Sequence, residues 1–193
     1  VNLPRNLPNC LTFLRLLLVP VFVGGMICYS MSVSAGQPLE AYRWGAVAAF
    51  ITASLTDFLD GWIARHFHLT TPLGTLIDPL ADKLLIFSAL VTFTFVPTPG
   101  IGKLPLWFML LILSRDGLIV VAAVIAWRWH REKVRIDPHW TGKTATFLLM
   151  ALLCVLLLKI DVVPLYLLVD VAALFVLLST IYYFVRGFSS LLR

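Results

Sequence analysis

Apolar residues fall in six long runs, at about 11–31, 41–63, 75–96, 104–127, 141–159 and 163–185. Each is close to the roughly 20 residues that a helix needs to cross a bilayer core. No run alternates apolar and polar as a half-buried strand would. Backbone groups in lipid must find partners within their own segment, so the runs predict helices. The gaps carry turn signals: Ala35-Gly36-Gln37-Pro38, Pro97-Thr98-Pro99-Gly100 and Asp137-Pro138. The run over 11–29 lacks a small-residue cleavage pattern followed by a soluble chain, so it reads as a retained first span rather than a signal. Residues 2–9, with Pro4 and Pro8, are too short to span and read as an interfacial segment. The expected fold is an all-α integral membrane protein. Six transmembrane helices and a short interfacial N-terminal segment form one domain over 1–193.

Composition agrees. Hydrophobic residues make up 60% of the 193 residues and charged ones 13%, with a mean hydropathy of +0.94. A soluble domain of this length has no interior large enough for that apolar surface. The net charge of +5 does not imply nucleic acid, because its distribution is one-sided. Lys103 and Lys159 are the cations in the first, third and fifth gaps, with Arg43 just inside the second run. Arg5, Arg65, Arg128, Arg131, Lys133, Arg135, Arg186 and Arg193 lie on the other side. The positive-inside rule then places both termini on the cytoplasmic side, in contact with anionic lipid. Cys10, Cys28 and Cys154 lie in apolar segments without ligand spacing and read as inert thiols. His66, His68, His130 and His139 read as solvated loop residues, and the tryptophans as an interfacial belt.

One stretch breaks the apolar pattern with chemistry. Asp57 and Asp60 end the second run, three residues apart, and Asp78 and Asp82 begin the third, four apart. Each pair shares a helix face. A short link over about 65–74 lets the two helices lie antiparallel, so the faces can meet. Two carboxylates about 4 Å apart repel by about 4 kcal/mol at an effective dielectric of about 20. The nearby cations are Arg65 and Lys83, and the latter points off the acidic face. Divalent ions relieve the repulsion best. Carboxylate oxygens suit Mg²⁺, Mn²⁺ or Ca²⁺ rather than Zn²⁺, and four carboxylates suffice for two ions. Gly61 and Ala64 share the face of Asp57, and Gly74 that of Asp78, which leaves room for a ligand. Arg65 stands at the mouth, where it can grip a phosphate.

The pattern D-x2-D-G-x2-A-R-x8-G-x3-D-x3-D, filled by Asp57, Asp60, Gly61, Ala64, Arg65, Gly74, Asp78 and Asp82, resembles the signature of the CDP-alcohol phosphotransferases. The resemblance implies metal ligation by Asp57, Asp60, Asp78 and Asp82. It gives Asp82 a second role, as base for the acceptor hydroxyl. Asp60, Gly61, Ala64, Arg65 and Gly74 would hold the cytidine diphosphate head. The implied reaction is attack of an alcohol on the β-phosphorus of a CDP-linked lipid, with loss of CMP. It also implies a homodimer.

Asn6-Leu7-Pro8-Asn9 running on to Arg15, and Thr71-Pro72-Leu73-Gly74 running into Asp78–Lys83, are similar to the phosphatidylglycerophosphate synthases and the related cardiolipin synthases. Both use CDP-diacylglycerol. The acceptor would be glycerol 3-phosphate in the first case and phosphatidylglycerol in the second. Arg115, in the fourth run, has the place of an acceptor-phosphate arginine, and its other reading is a structural pair with an interior carboxylate. Lys143 and Arg15 are further acceptor candidates. The chain departs from the glycerophosphate pattern at Ala123 and Ala145 and in Ser114-Arg115-Asp116. A divalent-cation transporter is the reading from another class. The nearly apolar stretches 46–53 and 86–95 deny it a polar path.

Overall fold

The structure is a computed structural model. It describes the backbone of residues 7–67, 72–98, 100–130, 140–160 and 164–191. Side chains are described for 12–56, 81, 83–98, 100–121, 140, 142–160, 164–182 and 184. The described residues form six helices: α1 (Leu7–Ser34), α2 (Glu40–Phe67), α3 (Pro72–Phe95), α4 (Leu106–His130), α5 (Trp140–Leu158) and α6 (Leu165–Leu191). There is no strand among the described residues. Each helix coincides with one apolar run. By length and composition, two stretches suit a bilayer crossing among the described residues, Thr12–Ser34 and Leu165–Tyr182.

Most helices outrun the apolar stretches that predicted them. α1 begins at Leu7, so residues 7–9 belong to it and not to a separate interfacial segment; residues 2–6 lie outside the described residues. α2 continues to Phe67 and α3 opens at Pro72, so the link expected over about 65–74 shrinks to 68–71. Backbone hydrogen bonding extends past the edge of the apolar composition. At 28 residues, α1 is about 42 Å long, against a hydrocarbon core of about 30 Å.

Local sequence explains the ends. Gly36 ends α1 at φ 76°. The Gly36 N–H donates to the Val33 carbonyl at 3.0 Å and that of Gln37 to Ser32 at 3.1 Å, the paired closure of a left-handed helix cap. Lys159 closes α5 in the same way at φ 54°, with its N–H on the Leu156 carbonyl and that of Ile160 on Val155, both at 3.1 Å. Pro105 and Pro164 precede α4 and α6, where a missing N–H costs nothing. Their carbonyls accept from Phe108 at 3.1 Å and Leu167 at 3.0 Å.

The helices form two compact units, 1–103 and 104–193. In the first, α1 packs on α2 and α3, and α2 also touches α3. The inward stripe of α1 is Thr12, Arg15, Phe22, Met26 and Tyr29; that of α2 is Ala46, Ala49, Phe50, Ala53 and Thr56. Phe22 and Phe50 meet with ring centroids 5.5 Å apart. The closest approach is at Gly25, where an added Cβ would lie 3.1 Å from the Tyr42 carbonyl oxygen and 3.2 Å from Ala46 Cβ. Small residues allow such backbone proximity, and the gain is dispersion. Near the α1–α2 turn, Tyr29 Oη donates to Glu40 Oε1 at 3.2 Å. Arg43 pairs with Glu40 and stacks on Trp44 at 4.6 Å. Ser30 Oγ donates to the Pro97 carbonyl just past α3.

In the second unit, α6 packs on both α4 and α5. Its core combines Phe108 and Ile112 of α4, Ala145, Leu149, Leu152 and Leu156 of α5, and Val169, Ala172 and Val176 of α6.

Candidate active site

The first unit carries all eight signature positions on consecutive helices. Asp57, Asp60, Gly61, Ala64 and Arg65 lie in the last turns of α2. Gly74, Asp78 and Asp82 lie in the first turns of α3. Their side chains are outside the described residues. Their positions continue stripes that are described. On α2 the buried face runs through Ala49, Ala53 and Thr56, and steps of four and seven from Ala53 reach Asp57 and Asp60. On α3 it runs through Ala81, Leu85 and Ala89, and steps of three and seven back from Leu85 reach Asp82 and Asp78. Helical spacing puts these four backbone positions in register with those buried stripes.

Thr56 shows how α2 accommodates polar groups there. Its hydroxyl donates to the carbonyls of Thr52 at 2.9 Å and Ala53 at 2.8 Å, which leaves no buried donor wanting. Ala81, beside Asp82 in sequence, is fully buried. A donor set of carboxylate oxygens fits hard divalent cations. Lys83 is exposed, as expected from its place beside Asp82.

The acceptor candidates separate. Arg15, on α1, is fully buried. Lys143, on α5, is exposed, whereas Ala145 is fully buried in the core of its unit. Arg115, on α4, is buried, and its Nη2 donates to Ser179 Oγ of α6 at 3.1 Å. Among the described residues its Nε makes no hydrogen bond and no carboxylate pairs with it. The structural ion pair weighed for Arg115 is therefore absent from the described part of the molecule. Ser179, itself fully buried, escaped the sequence reading. Its only signal was its place one helical turn beyond Val176.

A CDP-alcohol phosphatidyltransferase family model matches residues 5–183. The chain belongs to that family. Its relatives within the family include a Mycobacterium tuberculosis (strain H37Rv) protein named as a probable phosphatidylglycerophosphate synthase, 39% identical over 143 residues. That alignment covers 74% of this chain and 61% of the relative, so the chain spans about three-fifths of the mycobacterial protein. A Rickettsia prowazekii CDP-diacylglycerol--glycerol-3-phosphate 3-phosphatidyltransferase is 33% identical over 162 residues, covering 82% of this chain and 78% of the relative. A Mycobacterium bovis protein provisionally named a cardiolipin synthase is 33% identical over 146 residues, 76% of this chain and 61% of its own length. The resemblance read from the signature is thus borne out for the family, and both expected subfamilies occur among the relatives' names.

Proposed function

We propose that the chain is a membrane-embedded CDP-diacylglycerol-dependent phosphatidyltransferase. Its acceptor is glycerol 3-phosphate, and its products are phosphatidylglycerophosphate and CMP. The carrying observation is the complete eight-position signature on the last turns of α2 and the first turns of α3, in a member of the family. The six helices act as transmembrane spans of one domain, with the acidic ends facing the cytoplasm of a bacterial-type inner membrane, as the lysine and arginine distribution favours.

Asp57, Asp60, Asp78 and Asp82 hold divalent ions, two Mg²⁺ or Mn²⁺. When bound, these ions neutralise the pyrophosphate of the donor and the phosphate that departs with CMP. Arg65 grips a donor phosphate, while Gly61, Ala64 and Gly74 leave space for the cytidine diphosphate head. Asp82 takes the proton of the acceptor hydroxyl. The freed oxygen bonds to the β-phosphorus, and the bond from that phosphorus to the bridging oxygen breaks. The bridging oxygen leaves as part of CMP. In-line geometry and fixed charge do most of the work in such displacements.

Arg115 receives the acceptor phosphate. A buried guanidinium whose described partner is a neutral hydroxyl keeps donors for an anion, and a phosphate with two available oxygens suits its fork. Lys143 is a second, exposed cation for the same group. The competing acceptor is phosphatidylglycerol, favoured by Ser114-Arg115-Asp116 and by Ala145 at the site of a pattern lysine.

The test is CMP release by purified protein supplied with CDP-diacylglycerol, Mg²⁺ and either radiolabelled glycerol 3-phosphate or phosphatidylglycerol. Product from the first acceptor, abolished in Asp82→Ala, supports the reading. Equal CMP release by wild type and Asp82→Ala ends it. Product from phosphatidylglycerol alone moves the chain to the cardiolipin reaction.

A further inference from the structure

Arg15 is fully buried, while Phe13 and Leu17 on the same helix are 62% and 66% exposed. It sits two turns into α1, on the inward stripe. An arginine keeps its charge at any accessible pH, and a charge removed from water needs a partner of opposite sign.

Two separate contacts fix what stands level with it. α1 and α2 run antiparallel, with Phe22 against Phe50. The seven residues from Phe22 back to Arg15 rise about 10.5 Å, and seven residues forward from Phe50 reach Asp57. α1 and α3 run in the same direction, with Ser30 bonded to the Pro97 carbonyl. Fifteen residues back from Ser30 is Arg15, and fifteen back from Pro97, which lies two residues past the end of α3, is Asp82, so the two levels agree to within about one helical turn. One member of each acidic pair therefore stands level with the buried arginine.

We propose that Arg15 is the fixed counter-charge of the aspartate cluster. It is a positioning residue that offsets the negative charge of Asp57 and Asp82 and holds them in place before any divalent ion arrives. It serves the carboxylates rather than the acceptor. It also adds a third cation to Arg65 and Lys83. Its positive charge weakens the cluster's pull on metal, which favours exchangeable ions. The pairing rests on the proposed site only in its metal consequence.

The test is a melting study of the full chain in detergent, without substrate. In EDTA, R15Q lowers the midpoint by roughly 6–15 °C. Adding D57N or D82N to R15Q restores at least half of that loss, because a carboxylate without its cation is then gone. Mn²⁺ alone raises the midpoint of R15Q more than that of wild type. R15K, which keeps the charge, melts within roughly 4 °C of wild type. Additive losses in both double variants, equal non-zero Mn²⁺ increments, or an R15K that cannot fold would each overturn the proposal. Coupling in EDTA with no Mn²⁺ response in either protein leaves the pairing standing and refutes the metal site.

Discussion

Two of the three buried arginines among the described residues, Arg43 and Arg115, meet their surroundings differently. Arg43 in the first unit pairs with the Glu40 carboxylate, which also accepts from Tyr29, and lies over Trp44. Arg115 in the second unit has the Ser179 hydroxyl at 3.1 Å and a buried Nε with no partner among the described residues. The first arrangement is closed: charge, hydrogen bonding and stacking are supplied by the chain. The second supplies a neutral hydroxyl among the described residues, which under the proposed function leaves the guanidinium open to an anion. Burial of a cation is therefore not one signal but two, and the partner's charge tells them apart.

The largest expected effect falls on the open arginine. Arg115→Gln lowers kcat/KM for glycerol 3-phosphate by roughly 10–150-fold, mostly through KM, in a CMP-release assay across acceptor concentration. An unchanged KM would make Arg115 a structural residue like Arg43. Next comes the closed arginine. Glu40→Gln leaves Arg43 without its anion and lowers the melting midpoint by roughly 2–5 °C, an effect moderated because Glu40 is 44% exposed. CMP release per folded molecule stays unchanged. A fall in turnover without a fall in stability would erase the contrast. The smallest effect is that of Ser179→Ala. Loss of one hydrogen bond to a charged group raises the acceptor KM by roughly 3–10-fold, with the midpoint held within roughly 2 °C. A stability loss alone would return Ser179 to packing.

The six helices among the described residues were legible because long apolar runs without period-two alternation favour helix over strand. The sequence was less informative about their ends. Polar residues such as Glu40 and Arg65 extend helices beyond the apolar stretch without marking where they stop. The acidic pairs were legible because charge is scarce in such a chain and helical spacing assigns their faces. The partners of Arg115 and the neighbours of Arg15 were not legible. In a chain where inward and lipid-facing residues are equally apolar, hydrophobicity does not mark the inward face. Phe22 is buried and Phe13 exposed, yet their composition is identical. Ser179 looks like any helix serine until α4 and α6 are seen to pack.

The Gly25–Ala46 crossing carries a lesson about substitution histories. The two positions are not interchangeable. A methyl group at 25 would press on the Tyr42 main-chain oxygen as well as on Ala46, and no exchange at 46 moves that oxygen away. Position 46 can trade side-chain size only while position 25 carries none. Among chains that share this crossing, drift at 46 should therefore be conditional on a glycine at 25, and a bulkier residue at 25 should arrive only with a re-spaced helix pair.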